Sequence, residues 1–241
     1  MDALQLFRAG KLQEAIDALS AGLRDNPSDT KNRTFLFELL CFAGDYNRAE
    51  KHLELLQEQS GQAAMGALLY RGALNAERTR AEMFEQKTFP EASSDASSAQ
   101  KLTGTLNGKA FQSLTDADPR IGARLEAFGA GDYFWIPLQD VAVMELDPPK
   151  RLRDLLWAPI RLRTGPNFKN KDLGEVLMPV IAPLSWQHAD DEVKLGRVSE
   201  WCSDDAGEEA PFGQKMLLVD GEEFPILEIR KLEILAPAAG G

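Results

Sequence analysis

The sequence predicts an α+β chain, with TPR-like antiparallel helix pairs first and a mixed, mostly antiparallel β-rich domain after them. Three observations carry that prediction. The stretch Gly10-Lys-Leu-Gln-Glu-Ala-Ile16 returns as Gly44-Asp-Tyr-Asn-Arg-Ala-Glu50, an offset of 34 residues. Apolar residues keep helical spacing up to about residue 86 and lose it afterwards. Two pairs, Asn107-Gly108 and Asp220-Gly221, then separate short strand-like runs, which is a strong local hairpin signal.

The repeat has a physical reading. Gly10 and Gly44 fall between helices, where the turn needs a residue without a Cβ. Ala15 and Ala49 are small where paired helices approach, and Leu12 and Tyr46 fill the space beside them. A 34-residue unit is the length of a tetratricopeptide (TPR) repeat. Residues 2–9 read as a short first helix carrying Leu4, Leu6 and Phe7, and 11–24 place Leu12, Ala15, Ile16, Leu19 and Leu23 on one face. Asn26-Pro27-Ser28-Asp29 is a turn that supplies caps for a helix over about 29–43, with Phe35, Leu36, Leu39, Leu40 and Phe42. A helix over 45–59 repeats the pattern with Ala49, Leu53 and Leu56, and Gly61 ends it. Residues 62–86 form a fifth, Ala-rich helix with Met65, Leu68, Leu69, Ala73 and Ala76 on one side. Arg78 stands where a third glycine is needed, so the repeat stops after about two units, and two helix pairs need something to cover them.

Three regions follow: a helical domain over 1–86, a linker or exposed loop over 87–104 containing the Ser/Ala-rich Thr88–Ser98, and an α+β domain over 105–241. In the last, Leu102–Leu106 and Lys109–Leu114 flank the first hairpin turn. Asp118-Pro119 reads as an N-cap followed by proline at the first helical position, so a helix is expected over about 119–128 with Ile121, Leu125 and Phe128 inward. Tyr133–Ile136, Val141–Leu146 and Ala158–Arg163 read as strands, with one or two helical turns over Lys150–Leu156. Gly174–Ile181 is a strand that Pro179 places at a sheet edge. Lys194–Trp201 is a further candidate strand, Gln214–Val219 and Phe224–Ile229 flank the second hairpin turn, and Ala236–Gly241 reads as a frayed tail.

Composition excludes several functions. A net charge of −11 argues against nucleic acid, whose phosphates demand a basic surface. There is no apolar run of the roughly 18 residues that a membrane helix needs. Met1-Asp-Ala-Leu4 lacks a basic segment, so no signal peptide is expected and a cytoplasmic location is. Cys41 and Cys202 are too few for a disulfide framework, and Cys41 falls on an apolar helix face as a buried thiol. P-loop, Gly-x-Ser-x-Gly and Gly-x-Gly-x-x-Gly patterns are absent. His52 has only Leu55 and Leu56 at helical spacing and reads as a solvated helix-surface side chain. His188 precedes Asp191 and Glu192 at that spacing, a weak metal pattern with no second His or Cys close by. Asp116 and Asp118 are better explained by turn and cap roles than by a cation. The acidic runs Asp190–Glu192, Asp204-Asp205 and Glu208-Glu209 read as solvated loops, and Trp135, Trp157, Trp186 and Trp201 as core. No catalytic residue, metal ligand or cofactor site is therefore expected.

A series of short motifs runs through the second half. Asp116-Ala-Asp-Pro-Arg-Ile-Gly122, Leu125-Glu126, Gly131-Asp-Tyr-Phe-Trp-Ile-Pro137 and Pro148-Pro-Lys-Arg-Leu-Arg-Asp-Leu-Leu-Trp157 are followed by Gly174-Glu-Val-Leu-Met-Pro179, Leu195-Gly-Arg197 and Ile226-Leu-Glu-Ile-Arg230. With the two repeat units, this series resembles the ImpE family, also called TagJ or SciE-type, accessory proteins of the bacterial type VI secretion system. The resemblance covers nearly the whole chain except about 87–104. It implies a non-enzymatic, cytoplasmic adaptor that binds the N-terminal helix of the small subunit of the contractile sheath. It also implies an influence on sheath recycling by a AAA+ ATPase. The alternative is a cytoplasmic enzyme with an unrecognised site in the C-terminal half.

Placing Gly10 and Gly44 on the repeat assigns a concave face. Leu4, Phe7 and Arg8 fall on it, then Thr34, Glu38, Cys41 and Phe42, then Met65 and Leu68. The expected partner surface is the apolar strip Leu4, Phe7, Phe42, Met65 and Leu68 with Arg8, Thr34 and Glu38 beside it, which suits an amphipathic helix. The competing expectation is that these side chains pack on residues 102–235 of the same chain.

Overall fold

The computed structural model describes residues 1–58, 62–90, 102–165, 168, 172–203 and 207–235, without the side chains of 62–65. Gly61, most of the expected linker, Asp204, Asp205 and the tail from Ala236 lie outside the described residues, as does the Met65 side chain.

Helices α1 (Ala3–Arg8), α2 (Leu12–Asp25), α3 (Thr30–Phe42), α4 (Tyr46–Gln57) and α5 (Gln62–Glu85) follow the expected order. Each start has a local cause. The Asp2 side chain accepts from Gln5 N in a capping box, Asp29 from Asn32 N and Asp45 from Arg48 N. Gly10 and Gly44 occupy the two inter-helix turns at φ of +75° and +70°, which a Cβ disfavours. The faces that bear Ala15, Leu19, Ala49 and Leu53 are buried in one core.

The second half is antiparallel throughout its described pairings. Strands β1 (Gly104–Leu106), β2 (Lys109–Phe111), β4 (Arg124–Gly129), β5 (Asp132–Pro137), β6 (Val141–Leu146), β7 (Trp157–Thr164), β8 (Asp172–Pro179) and β13 (Lys231–Ile234) form one eight-stranded sheet in the order β2-β1-β13-β6-β7-β8-β4-β5. A three-stranded sheet joins β3 (Leu114–Asp116), β11 (Met216–Val219) and β12 (Glu222–Pro225), and a ribbon joins β9 (Glu200–Ser203) to β10 (Glu209–Phe212). Both expected hairpins form. Asn107-Gly108 turns at φ of +49° and +82°, and Asp220-Gly221 at +54° and +87°, as a type I′ turn requires.

Period-two alternation divides the large sheet between two cores. Leu125, Ala127, Ile136, Ala158, Ile160, Leu162 and Met178 point into the core of the β-rich half. Their neighbours Phe128, Trp157 and Leu177 point the other way, into the core made with the helices. At the far end of this second face the helices no longer cover it, and exposed charges alternate across strands. Glu175 faces Arg161, Arg161 faces Glu145, and Glu145 faces Lys231.

Three expected elements are corrected, and Trp201, expected in the core, is 46% exposed. The helix expected over 119–128 is a single turn followed by strand β4. The Asp118 carbonyl accepts from Ile121 and Gly122, Gly122 takes φ of +63°, and the chain then extends. Because β4 is buried on both faces, its run Leu125-Glu-Ala-Phe128 lacks the alternation that marks a half-buried strand. Strand β8 is interior, not an edge. Pro179 is its last residue, beyond the Phe128–Leu177 pair that joins β8 to β4. Residues 194–201 are not one strand: a short helix α6 (Asp191–Lys194), capped by Asp190, runs into them, and β9 begins only at Glu200.

Candidate functional site

The repeat's concave side is covered by the chain's own sheet. On α3, Glu38, Cys41 and Phe42 are buried, and Phe37 packs against Trp157 from β7. Burial raises the Glu38 carboxyl, which accepts a hydrogen bond from Tyr70 Oη at 2.8 Å. Burial likewise pushes the Cys41 thiol well up, so it is an inert core group. The segment after β8 clasps both repeat turns. A Cβ on Gly44 would lie 2.4 Å from the Trp186 ring, and one on Gly10 would overlap the Glu192 carboxylate. The helix α2, which has no side-chain cap of its own, receives one from Asp191, whose Oδ2 accepts from Gln13 N at 3.2 Å. Arg197 donates to the carbonyls of Phe7 (2.7 Å) and Arg8 (3.2 Å) and covers the Phe7 ring. The expected strip is therefore not brought together. Phe42 and Glu38 lie under the sheet, Phe7 and Thr34 are half-buried, and Leu4, Arg8 and Leu68 stay exposed.

A buried ionic node joins the C-terminal half of α5 to the sheet. Arg80 holds Glu126 bidentately (Nε–Oε1 2.7 Å, Nη2–Oε2 3.1 Å), and also reaches Glu77 (2.9 Å) and the Ile181 carbonyl (3.0 Å). Lys215 sits against Glu126 and lies 2.8 Å from Asp116. Tyr133 Oη donates to Glu126 at 2.6 Å, and Trp157 Nε1 donates to Glu77 at 2.9 Å. Burial would raise the Glu126 carboxyl, but Arg80 and Lys215 outweigh it and hold it at about 2. Asp116 goes the other way: burial, only partly offset by Lys215, lifts it to about 6. Asp118 pairs instead with Arg120 at 2.6 Å. These groups engage one another, so the node can orient α5 on the sheet but offers no free base or nucleophile.

Among the described residues, one set of metal-ligating side chains converges: His188, Glu200 and Cys202, with ligand atoms within 4.8 Å of one another. Sequence spacing had paired His188 with Asp191 and Glu192, which instead serve α2 and the Gly10 turn. In the fold His188 Nδ1 accepts the Asp190 N–H at 3.1 Å, which leaves the ring proton on Nε2, 3.5 Å from Glu200. The ring is thus set to donate to a carboxylate, and a metal on Nε2 would have to displace that proton. His52 is not the solvated side chain expected. It is half-buried with Nδ1 3.4 Å from Arg33, and burial followed by that charge lowers its pKa.

An apolar groove of about 720 Å³ lies where α5 crosses the sheet. Its floor is Tyr70, Phe128, Trp157, Pro159 and Leu177. Leu68 and Leu69 stand on its helical wall at 61% and 62% exposure. One end is closed by backbone contact: a Cβ on Gly72 would lie 3.5 Å from Gly131 Cα, and Asn75 Nδ2 donates to the Gly131 carbonyl at 3.1 Å. Gly131 and Ala130 form a two-residue turn at φ of +91° and +54° between β4 and β5. A second opening of about 810 Å³ lies between the C-terminal end of α5 and the β9–β10 ribbon, with a more polar lining that includes Lys87, Arg120, Glu208 and Glu209.

A helical repeat backed by its own antiparallel sheet, with an apolar groove and a self-neutralised ionic node, defines a repeat-and-sheet class of α+β protein. Comparison with known proteins sharpens that class. Residues 6–71 match the tetratricopeptide repeat model, and residues 108–233 match the model described as ImpE protein. The chain is 30% identical to the type VI secretion system accessory component TagJ of Pseudomonas aeruginosa, over 97% of this chain and 91% of that protein. The crystal structure of protein VPA1032 from Vibrio parahaemolyticus superposes with a TM-score of 0.83 over 98% of both chains at 22% identity, and so shares the fold. This chain belongs to the ImpE family.

Proposed function

We propose that this chain is a non-enzymatic accessory protein of a type VI secretion system that holds the N-terminal helix of the small sheath subunit. It acts in the cytoplasm and, through that contact, influences sheath recycling by the AAA+ ATPase. The observation that carries the reading is the near full-length relation to a type VI accessory component. The fold is consistent with it: helical repeats take peptides and helices in grooves. In this reading residues 1–86 supply the repeat, 87–104 connect, and 105–241 form the sheet that backs it. The mutual engagement of Arg80, Glu126, Lys215 and Asp116 favours binding over chemistry.

The test is direct. The purified chain should retain the purified small sheath subunit of the same secretion system on a sizing column, and should not retain that subunit lacking its N-terminal helix. Failure to retain the intact subunit would remove the reading.

A further inference from the structure

Resting on that reading, we infer that the partner helix docks in the groove between α5 and the sheet rather than in the repeat's concave face. The concave face is filled by Trp157 and its neighbours, and Phe42 is 3% exposed there. The groove, in contrast, has an apolar floor and two leucines more than half exposed on its wall, Leu68 and Leu69. Its occupant is a helix and not a strand. The groove floor is the face of β4, β7 and β8, with Asp132 of the edge strand β5 at one end, so it offers an occupant apolar side chains rather than a row of main-chain groups.

The charges on the two walls specify the occupant further. Arg71 stands on the α5 wall, and Asp132 and Glu175 on the sheet wall. None of the three has a salt bridge or side-chain hydrogen bond among the described residues. The other arginines of the rim are already engaged: Arg78 with Glu50 at 2.8 Å, Arg153 with Asp154 at 3.5 Å. The complementary ligand is an amphipathic helix from another chain. It carries an apolar stripe, an acidic flank toward α5 and a basic flank toward the sheet.

A fluorescent peptide spanning the N-terminal helix of the small sheath subunit tests this by anisotropy. The double variant L68E/L69E should weaken capture by about tenfold or more, the scale of a central anchor. Its thermal midpoint should not move, because both side chains are exposed. Arg71→Glu should weaken capture by roughly threefold and reduce its dependence on salt. Leu4→Glu, on exposed α1 outside the groove, should bind as the parent does. If the parent binds and L68E/L69E binds equally, the function stands and the groove is wrong. If Leu4→Glu alone abolishes binding, the site is the α1 face and the groove is wrong. If the parent does not bind, the functional reading and this occupant both fall. If the chain sediments as a dimer that L68E/L69E splits, the groove holds a second copy and the inference is overturned.

Discussion

Helix α5 meets the sheet in two opposite ways. Past Gly72, Arg80 is 2% exposed and locked to Glu126, and Phe84 is buried. Before Gly72, two leucines point at solvent. At these positions the helix buries an arginine and exposes two leucines, the reverse of the usual partition. A buried ion pair is a weak source of net stability compared with apolar packing, but it penalises any arrangement that leaves one member unpaired. One half of α5 is fixed in place by that penalty, and the other half is left with apolar surface for something else to cover.

Arg80→Met should have the largest effect on this contrast, a loss of about 3–5 kcal/mol in urea unfolding, because Glu126 then stays buried with one cation fewer. Adding Glu126→Leu to it should recover part of that loss. A double variant no more stable than the single one would mean that the node is not an ion-pair unit. Next, Ala49→Leu should cost about 1–3 kcal/mol by overpacking the fully buried α3–α4 contact, read as a fall in thermal midpoint. No shift there would make the repeat core looser than the node.

The pH dependence separates the two carboxyls of the node. Asp116 rises from 3.8 to about 6 on folding, so its contribution is full below pH 3.8 and is lost as pH climbs through 6. Glu126 falls from 4.5 to about 2, so its contribution is full above pH 4.5 and is lost as pH drops toward 2. Asp116→Asn should therefore remove the decline between pH 4 and 6, leaving stability flatter or rising there in thermal scans; an unchanged profile would mean Asp116 titrates normally. The smallest effect is expected at the exposed charge ladder. Glu145→Ala breaks the Arg161–Glu145 pair (3.2 Å, side chains 62% and 41% exposed) and should cost less than about 1 kcal/mol.

The helical half was legible because its signals are local. Gly10 and Gly44 mark the turns, Asp29 supplies a cap, and buried positions recur at helical spacing. The hairpins at Asn107 and Asp220 were legible for the same reason. Strand β4 was not, because a strand buried on both faces has no period to read. The node escaped notice because Arg80, Glu126 and Lys215 are joined across 46 and 89 residues of sequence. The register of the repeat grouped Glu38, Cys41 and Phe42, and all three are buried, but register alone does not say what lies on top of them. The groove had one legible member, Leu68; its floor comes from strands whose placement only the topology reveals.

The clasp of residues 186–197 on the two repeat turns also sets an order in time. Helices α1 and α2 are synthesised early, yet the carboxylate that caps α2 is 178 residues downstream and the guanidinium that binds the α1 carbonyls is 189 and 190 residues downstream. On a ribosome adding about 5–20 residues per second, the first two helices wait roughly ten seconds or more for the side chains that complete them. Until then they are short, partly uncapped and uncovered. Helices α1 and α2 are completed only by side chains made long after them.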